Sequence, residues 1–371
     1  MAVPIEEWGR RLSDALRSAL ESGNLDLARR LALEGDGQAR SLAKEYTLMY
    51  RGLGITIRVM LPLLREAALL PREPLPRSAL CRQPGADSAA GVPDAAGAAA
   101  SLIRRFRIDL AEGMRRAWGD PAGASPPQAP LDGSLAESLE EEIGRTARLL
   151  EAGEARFEQE QARLAGKIVR AIEAQDAARA LALLRNKEQD QYRPLHDRLV
   201  RFMAECFGWV LSRFGADELL RFHLATAEGQ RPGFEKWEQL SAADFARTSA
   251  FLLKQHLGQV TVREDGVKFT FDQTLCGSGG RLRLAGAYAG PDALPFVAAP
   301  GPLTIGQPRL PVYCSHCPVW NGVATLRWFG RAHWVFENAA RPDGGCTFHI
   351  YKKREDAPAD YVRQLTVAVR S

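Results

Sequence analysis

Four of the six cysteines in the sequence lie between residues 276 and 346, and two of them form a Cys-X-X-Cys pair. The pair is Cys314 and Cys317, while Cys276 and Cys346 stand alone with glycines beside them. Thiolates are preferred ligands of soft metals, and four of them suit a tetrahedral site. Glycine also lets the backbone bend closely around an ion. The sequence therefore predicts one metal site built from these four cysteines.

Zinc is the metal that this ligand set predicts first. It suits four thiolates, or three thiolates with His316 or His349 as the fourth ligand. A [4Fe–4S] cluster is the alternative, because it uses the same set of four cysteines. If one cysteine is not a ligand, the metal keeps an open position, as catalytic zinc does. The competing interpretation is that some of these thiols are buried as small apolar side chains.

A second hypothesis makes Cys276 a nucleophile. The run CGSGG that it begins offers consecutive backbone N–H groups, which can hold an oxyanion. A reactive cysteine needs a base, and His316, His333 and His349 are the candidates. The same glycines also fit a tight turn. The predicted catalytic residues are therefore Cys276, His316 and His349.

Aromatic and cationic residues surround the cysteines in the sequence. We expect Arg281, Trp320 and Tyr351 to bind a cofactor or ligand, since aromatic side chains beside cationic groups suit a small anionic or aromatic molecule. The alternative is a core of strand aromatics with exposed arginines. Arg283, Asn321, Trp328 and Trp334 lie in the same stretch of sequence.

The run Gly-Gly-Cys-Thr-Phe-His at 344–349 resembles the tail of the L-2-amino-thiazoline-4-carboxylate hydrolase-like family. The resemblance covers the last quarter of the chain and implies small-molecule chemistry, with which the upstream cysteines agree. The long helical part and the Cys-X-X-Cys pair depart from that family.

The N-terminal part reads as helices. Over residues 1–70, Trp8, Leu12, Leu16 and Leu20 form one apolar stripe, and Asn24 is a predicted N-cap. A long helix is expected from about 38 to 68, weakened or kinked at its glycines and at Pro62. Residues 71–133 read as Pro-, Gly- and Ala-rich linkers around one basic helix, and Cys81 in the first linker as an incidental thiol.

Residues 134–229 read as a helical hairpin that completes a bundle, with Ser134 as a cap. Residues 19–24 and 171–176 match at a constant shift, which suggests an αα-hairpin used twice. His196-Asp197 lacks a second set of ligands at matching spacing, so a pair on the helix surface is expected there.

Residues 230–371 read as a cysteine-rich α+β domain. After a hinge at 230–258 with a helix capped by Ser241, Asp265-Gly266 marks a hairpin between two strands. Further strands are expected at 281–288, 325–330, 333–339 and 346–352, followed by a short helix or an extended tail. The predicted fold class is therefore α+β, with an all-α bundle before a β-rich domain.

Composition limits the class of protein. The net charge of +4 is spread along the chain without a recognised binding motif, so no nucleic-acid partner is expected. The start lacks a signal-peptide pattern, and the most apolar run is broken by charges and proline, so neither export nor a membrane partner is expected. A cytoplasmic location follows, where cysteine pairs more often bind metals or do redox chemistry than form disulfides.

The leading hypothesis is a cytoplasmic metal-binding enzyme of small-molecule metabolism, whose helical part covers the pocket or forms a homodimer. One alternative is a small-molecule sensor or binding module that is stiffened by structural zinc. The other is an iron–sulfur redox protein.

Overall fold

The computed structural model describes residues 3–35, 41–69, 95–119, 135–298 and 301–366. Cys81, Ser134 and nearly all of the two predicted linkers lie outside these ranges. Within them the chain is mostly helical with a small antiparallel sheet, which confirms the α+β class. The helices of the first part are α1 (Leu12–Glu21), α2 (Leu25–Glu34), α3 (Thr47–Leu69), α4 (Ala95–Trp118), α5 (Leu135–Glu173), α6 (Ala177–Arg185), α7 (Arg193–Glu228), α8 (Arg231–Glu238) and α9 (Ala242–Gln255).

Two helical hairpins, α1–α2 and α5–α6, share the same capped turn. Asn24 accepts a hydrogen bond from the N–H of Leu27 at 3.0 Å, and Asp176 accepts one from the N–H of Arg179 at 2.9 Å. The predicted cap Asn24 and Asp176, which matches it in the repeat, thus act as N-caps at equivalent places. The two hairpins pack together in a small apolar core of their own. Whether they arose by duplication stays a prediction.

The stripe predicted for the first helix is buried: Trp8, Leu12, Leu16 and Leu20 are each at most 5% exposed. The long helix α3 begins later than expected, at Thr47. It runs through Pro62, which is exposed and lacks the N–H that would bond the carbonyl one turn earlier.

Stacked aromatic rings join the long helices of the bundle. Phe106 of α4 lies 3.8 Å from Phe202 of α7, and Tyr50 of α3 lies 4.3 Å from Phe157 of α5, each measured between ring centroids. Gly215 has a φ of 87° and kinks α7 at this position. Such a φ favours glycine, which has no Cβ.

A π-helical turn at Asn186–Tyr192 joins α6 to α7 and buries charged groups. Lys187 and Glu188 are fully buried there. The ammonium of Lys187 lies 3.5 Å from a carboxylate oxygen of Glu45, and Tyr46 donates a hydrogen bond to Glu188 at 2.6 Å. Arg11 also lies 3.4 Å from Glu188, so each buried charge faces an opposite one.

The second part contains β1 (Gln259–Glu264), β2 (Lys268–Leu275), α10 (Gly279–Leu284), β3 (Phe296–Val297), β4 (Leu310–Pro311), α11 (His316–Pro318), α12 (Thr325–Phe329), β5 (Val335–Asn338), β6 (Cys346–Tyr351) and α13 (Ala359–Thr366). The predicted hairpin at Asp265-Gly266 is confirmed as β1–β2. In the described chain the main sheet has the order β1-β2-β6-β5 and is antiparallel. Phe271 and Phe348 face each other across its centre with ring centroids 4.7 Å apart.

Two predicted strands are wrong. Residues 281–288 include most of α10, and residues 325–330 include α12. The alternation of Arg and Leu at 281–284 also fits a strand. In the structure these residues form a helical turn, from which Arg281 and Arg283 point to different partners. The strands predicted at 333–339 and 346–352 are confirmed as β5 and β6, and the last predicted element is the short helix α13.

The two parts share one apolar core. It contains Leu53 and Phe207 from the bundle together with Phe271, Tyr313 and Phe348 from the second part. Ser241 caps α9 as predicted, accepting a hydrogen bond from the N–H of Asp244 at 3.1 Å. The division of the chain at 229/230 stays a prediction. Among the described helices, none combines the length and apolar character needed to cross a bilayer.

Candidate functional site

The Cys-X-X-Cys pair lies in a buried helical segment. A 3-10 turn at Val312–Ser315 leads into α11, and a π-helical turn at Val319–Ala324 follows. Cys314 and Cys317 are three residues apart within this segment, so their side chains lie on the same face of it. Both thiols are therefore presented in one direction.

Cys276 follows the end of β2, where it meets the loop before β6. Its N–H donates a hydrogen bond to the carbonyl of Gly344 at 3.0 Å. Gly280 makes this close approach possible, because a Cβ at that position would lie 2.1 Å from the same carbonyl oxygen. The chain thus brings Cys276 and Cys346 beside each other, although they are far apart in sequence.

All four predicted cysteine ligands line the same cavity, which has a volume of about 980 Å³. They reach it from three separate segments of chain. In the part of the chain that the structure describes, no three or more His, Cys, Asp or Glu side chains are arranged to hold a metal ion. The cysteines share a cavity wall without being gathered around one point.

Burial keeps the thiols of Cys314, Cys317 and Cys346 protonated as free side chains. It raises the pKa of Cys314 to about 12, although the charge of Arg283 acts in the opposite direction. Burial also raises the pKa of Cys317 and of Cys346 far above the usual thiol value, and the charges of neighbouring cysteines add to both shifts. Ionising this group of thiols together therefore requires a compensating positive charge.

Arg283 supplies one positive charge to the site. Its Nη1 lies 3.1 Å from Sγ of Cys314, and its Nη2 donates hydrogen bonds to the carbonyls of Arg341 and Gly345 at 3.3 and 3.2 Å. The guanidinium thereby ties the Cys-X-X-Cys segment to the loop that carries Cys346. The sequence showed Arg283 only as one of several nearby cations.

His316 lines the cavity as expected for a site residue. Its Nδ1 is bonded to the carbonyl of Tyr313, and its Nε2 lies 3.4 Å from Sγ of Cys317. Burial lowers its pKa to about 4, so the imidazole is neutral near neutral pH. A neutral imidazole with Nδ1–H donating leaves Nε2 as an acceptor beside the thiol. Trp320 also lines the cavity.

His349 and Tyr351 are not placed at the cavity. Side chains alternate along a strand, so Cys346 and Phe348 of β6 face one way while His349 and Tyr351 face the other. His349 instead lies 3.1 Å from Glu337 and 3.1 Å from the hydroxyl of Thr270. The local spacing from Cys346 did not reveal this separation.

Arg281 does not line the cavity either. It precedes Arg283 by two positions in α10, and side chains two positions apart on a helix point to different sides. Its Nη1 donates to the carbonyl of His256 at 2.8 Å, and its Nη2 donates to the carboxylate of Asp197. The expected surface location of His196-Asp197 is wrong for His196, which is completely buried.

His256 is a cavity residue that the sequence did not reveal. Its Nδ1 lies 2.8 Å from Nε2 of His196, and His196 Nδ1 lies 2.9 Å from Asp197. Burial lowers the pKa of His256 well below that of an ordinary histidine, and the charges of His196 and Arg281 lower it further. The pair of histidines is 60 positions apart, so no sequence motif could indicate it.

Apolar side chains form most of the cavity. Leu48 and Ile55 of α3 lie at its mouth and are 38% and 40% exposed. In the described part of the chain no Asp or Glu lines it, whereas the lining includes Lys236, Arg247 and Arg283. An uncharged or anionic ligand with an apolar body suits such a surface.

The comparisons with known proteins identify no relative on which a function could rest. No family model, curated protein or solved structure matches this chain. The resemblance of residues 344–349 to the thiazoline-carboxylate hydrolases thus stays a prediction, and the site must be interpreted from its own geometry.

Proposed function

We propose that this protein is an enzyme of small-molecule metabolism whose cysteines hold a metal centre in the cavity wall. The ligands are Cys276, Cys314, Cys317 and Cys346, with zinc as the metal and a [4Fe–4S] cluster as the alternative. The observation that carries the proposal is the convergence of these cysteines, from three separate segments, on one cavity.

The donor set fits such a centre. Thiolates select zinc and iron–sulfur clusters over hard cations. Gly279 leaves room beside the site, because a Cβ there would lie 2.9 Å from Sγ of Cys314. Arg283 donates to the same sulfur, and hydrogen bonds of this kind orient and tune metal ligands. Gathering the four sulfurs around an ion requires side-chain rotation of cysteines that already share the wall.

The cavity beside the cysteines favours an enzyme over a purely structural metal site. A structural zinc site is closed, whereas these cysteines border a space large enough for a metabolite. Zinc that exchanged one of the four cysteines for substrate or water would gain an open position here, at which it would polarise a carbonyl or activate that water. Apolar residues at the mouth and basic residues in the lining would bind the body and an acceptor group of the substrate.

Metal content under anaerobic purification tests the proposal. We expect one zinc per chain, or about four irons with broad visible absorption if a cluster is bound. Each of the four Cys→Ser variants should lower the metal content, whereas Cys206→Ser should not, because Cys206 is a buried cysteine of α7 outside the cavity lining. Protein that binds neither zinc nor iron, even after reconstitution, would contradict the proposal.

A sensor or binding module is the second candidate, favoured by the position of the cavity. Its lining joins α3, α8 and α9 to the cysteine segments, so an occupant would contact both parts of the chain. A metabolite panel screened by thermal shift, followed by mass spectrometry of each hit, separates the two functions. A converted metabolite supports an enzyme, and unchanged release supports a sensor.

The mass of the particle in solution tests the predicted homodimer.

A further inference from the structure

A continuous line of side chains leads from the surface of α7 to the cavity. Oδ1 of Asp197 lies 2.9 Å from Nδ1 of His196, and Nε2 of His196 lies 2.8 Å from Nδ1 of His256. His196 is completely buried, and His256 lines the cavity. The three residues are thus linked end to end, with only the last one in reach of a bound molecule.

The carboxylate of Asp197 determines which ring nitrogens of His196 and His256 carry protons. An ionised carboxylate only accepts hydrogen bonds, so Nδ1 of His196 must donate to Asp197. Nε2 of the same neutral ring is then an acceptor, and Nδ1 of His256 donates to it. The remaining nitrogen, Nε2 of His256, is left with a lone pair and has no protein partner among the described hydrogen bonds.

Arg281 donates hydrogen bonds to both ends of this line, Asp197 and His256. It donates to the carbonyl of His256 at 2.8 Å and to the carboxylate of Asp197. Its Nη2 also lies 2.9 Å from Nδ1 of His196. If Arg281 donated to that nitrogen, the lone pairs of His196 and Asp197 would face each other at close range. The carboxylate therefore favours the tautomer with a proton on Nδ1.

We propose that His256 is the general base of the cavity and that His196 and Asp197 are its positioning residues. The proposal rests on the proposed enzymatic function. Nε2 of His256 takes the proton of a hydroxyl group or of a water molecule bound in the cavity, and the electron pair of the broken O–H bond stays on oxygen. The imidazolium that forms is stabilised through His196 by the charge of Asp197, the arrangement that orients the base in hydrolytic triads.

The groups that surround His256 are compatible with this role. His196 on α7, Arg281 on α10 and His316 on α11 act on His256 and, with burial, lower its pKa, which keeps the ring neutral and able to accept a proton. Asp197 on α7 reaches His256 only through His196. Asp197 is the anion of this set. Removing it leaves Arg281, which can only donate, as the polar partner of Nδ1 of His196.

Selective ¹⁵N labelling of histidine tests the tautomers directly by NMR. The chain has six histidines, so single His→Gln variants assign every signal. We expect Nε2 of His256 to be unprotonated near neutral pH. In Asp197→Ala the tautomers should reverse, with loss of the unprotonated Nε2 signal, and Asp197→Glu should restore it. His349→Gln, outside the cavity, should leave the His256 signals unchanged.

Site-resolved acylation by diethyl pyrocarbonate tests whether the lone pair is accessible. His256 should react before the buried His196, and the reaction should slow in Asp197→Ala. A protonated Nε2 in the native protein, or tautomers that ignore Asp197, would overturn the proposal. If Asp197→Ala does not fold, Asp197→Asn serves the same purpose, since its amide can donate to His196. Both readouts work on metal-free protein, so they are independent of the outcome for the metal.

Discussion

Nη1 of Arg283 lies 3.1 Å from Sγ of Cys314, while Nη2 of the same guanidinium reaches the carbonyl of Gly345, the residue before Cys346. One side chain therefore contacts two of the three segments that supply cysteines to the cavity. A planar guanidinium can make these bonds together, whereas the ammonium of lysine acts as a point charge.

Arg283→Met should weaken metal binding without preventing folding. Loss of a hydrogen bond to a ligand lowers metal affinity by about 10- to 100-fold in other sites. Competition with a chelator of known affinity measures the change. Arg263→Met on the exposed side of β1 is the matched control. Equal affinities for the two variants would show that Arg283 does not support the metal.

Gly280→Ala should destabilise the protein, although alanine normally favours a helix over glycine. A Cβ there would lie 2.1 Å from the carbonyl oxygen of Gly344, and such overpacking costs about 1–3 kcal/mol. Gly144→Ala in α5 is the control, because its nearest neighbour is the flexible end of Arg148 at 3.4 Å. Urea denaturation should show a loss for the first variant and no loss for the second.

Lys187→Met should lower the free energy of unfolding by about 3 kcal/mol, because it leaves Glu45 buried without its cation. The double variant Lys187→Met/Glu45→Gln should recover part of this loss. Arg116→Ala is the control for a surface ion pair, since the Arg116 side chain is 67% exposed, and should change stability by less than about 1 kcal/mol. Similar losses for both single variants would contradict the argument.

Asn24→Ala and Asp176→Ala should each cost about 1 kcal/mol, since each removes a capping side chain. Asn24→Ser and Asp176→Ser should retain most of the stability because serine also caps. Thermal or urea denaturation of the four variants checks the equivalence of the two hairpins. Loss at only one site would mean that the matching turns differ energetically.

Stability of the metal-free protein should fall as the pH drops below about 6.5, the pKa of an unfolded histidine. Burial lowers the pKa of His196 and His256 in the folded state, so the unfolded chain binds more protons there. A histidine that stays neutral when folded costs about 1.4 kcal/mol for each pH unit below that value.

Denaturation between pH 7.5 and 5.5 measures this pH dependence, and these limits stay about one pH unit either side of the unfolded pKa. His256→Gln should flatten it more than His349→Gln, because the charge of Glu337 opposes the shift of His349. A stability that does not change over this range would be incompatible with neutral buried histidines.

Much of the fold follows from periodicity and caps. The apolar stripe at Trp8 and Leu16, the caps at Asn24 and Ser241 and the hairpin at Asp265 are local signals, and the structure confirms them. The strands expected at 281–288 and 325–330 failed because short runs of alternating residues also fit single helical turns.

The sequence predicts only the part of the candidate site that residue type alone indicates. Four cysteines indicated a common site, and all four line the cavity. The expected roles of His349 and Tyr351 in the pocket depend on the direction of their side chains. Side chains alternate along a strand, so both lie on the face of β6 opposite to Cys346. His256, which follows α9, meets His196 of α7 only through the tertiary fold, so no spacing in the sequence could indicate their contact.

The pairing of β2 with β6 has a consequence for how the protein folds. The capped hairpins of the bundle form from neighbouring residues, whereas Gln273 must find Cys346 across a long loop. Closing such a loop is entropically slow, and topology of this kind lowers folding rates. We therefore expect the helices to form early and the cavity wall that carries the cysteines to assemble late. A metal ion supplied during refolding would then meet flexible thiols before the cavity is complete.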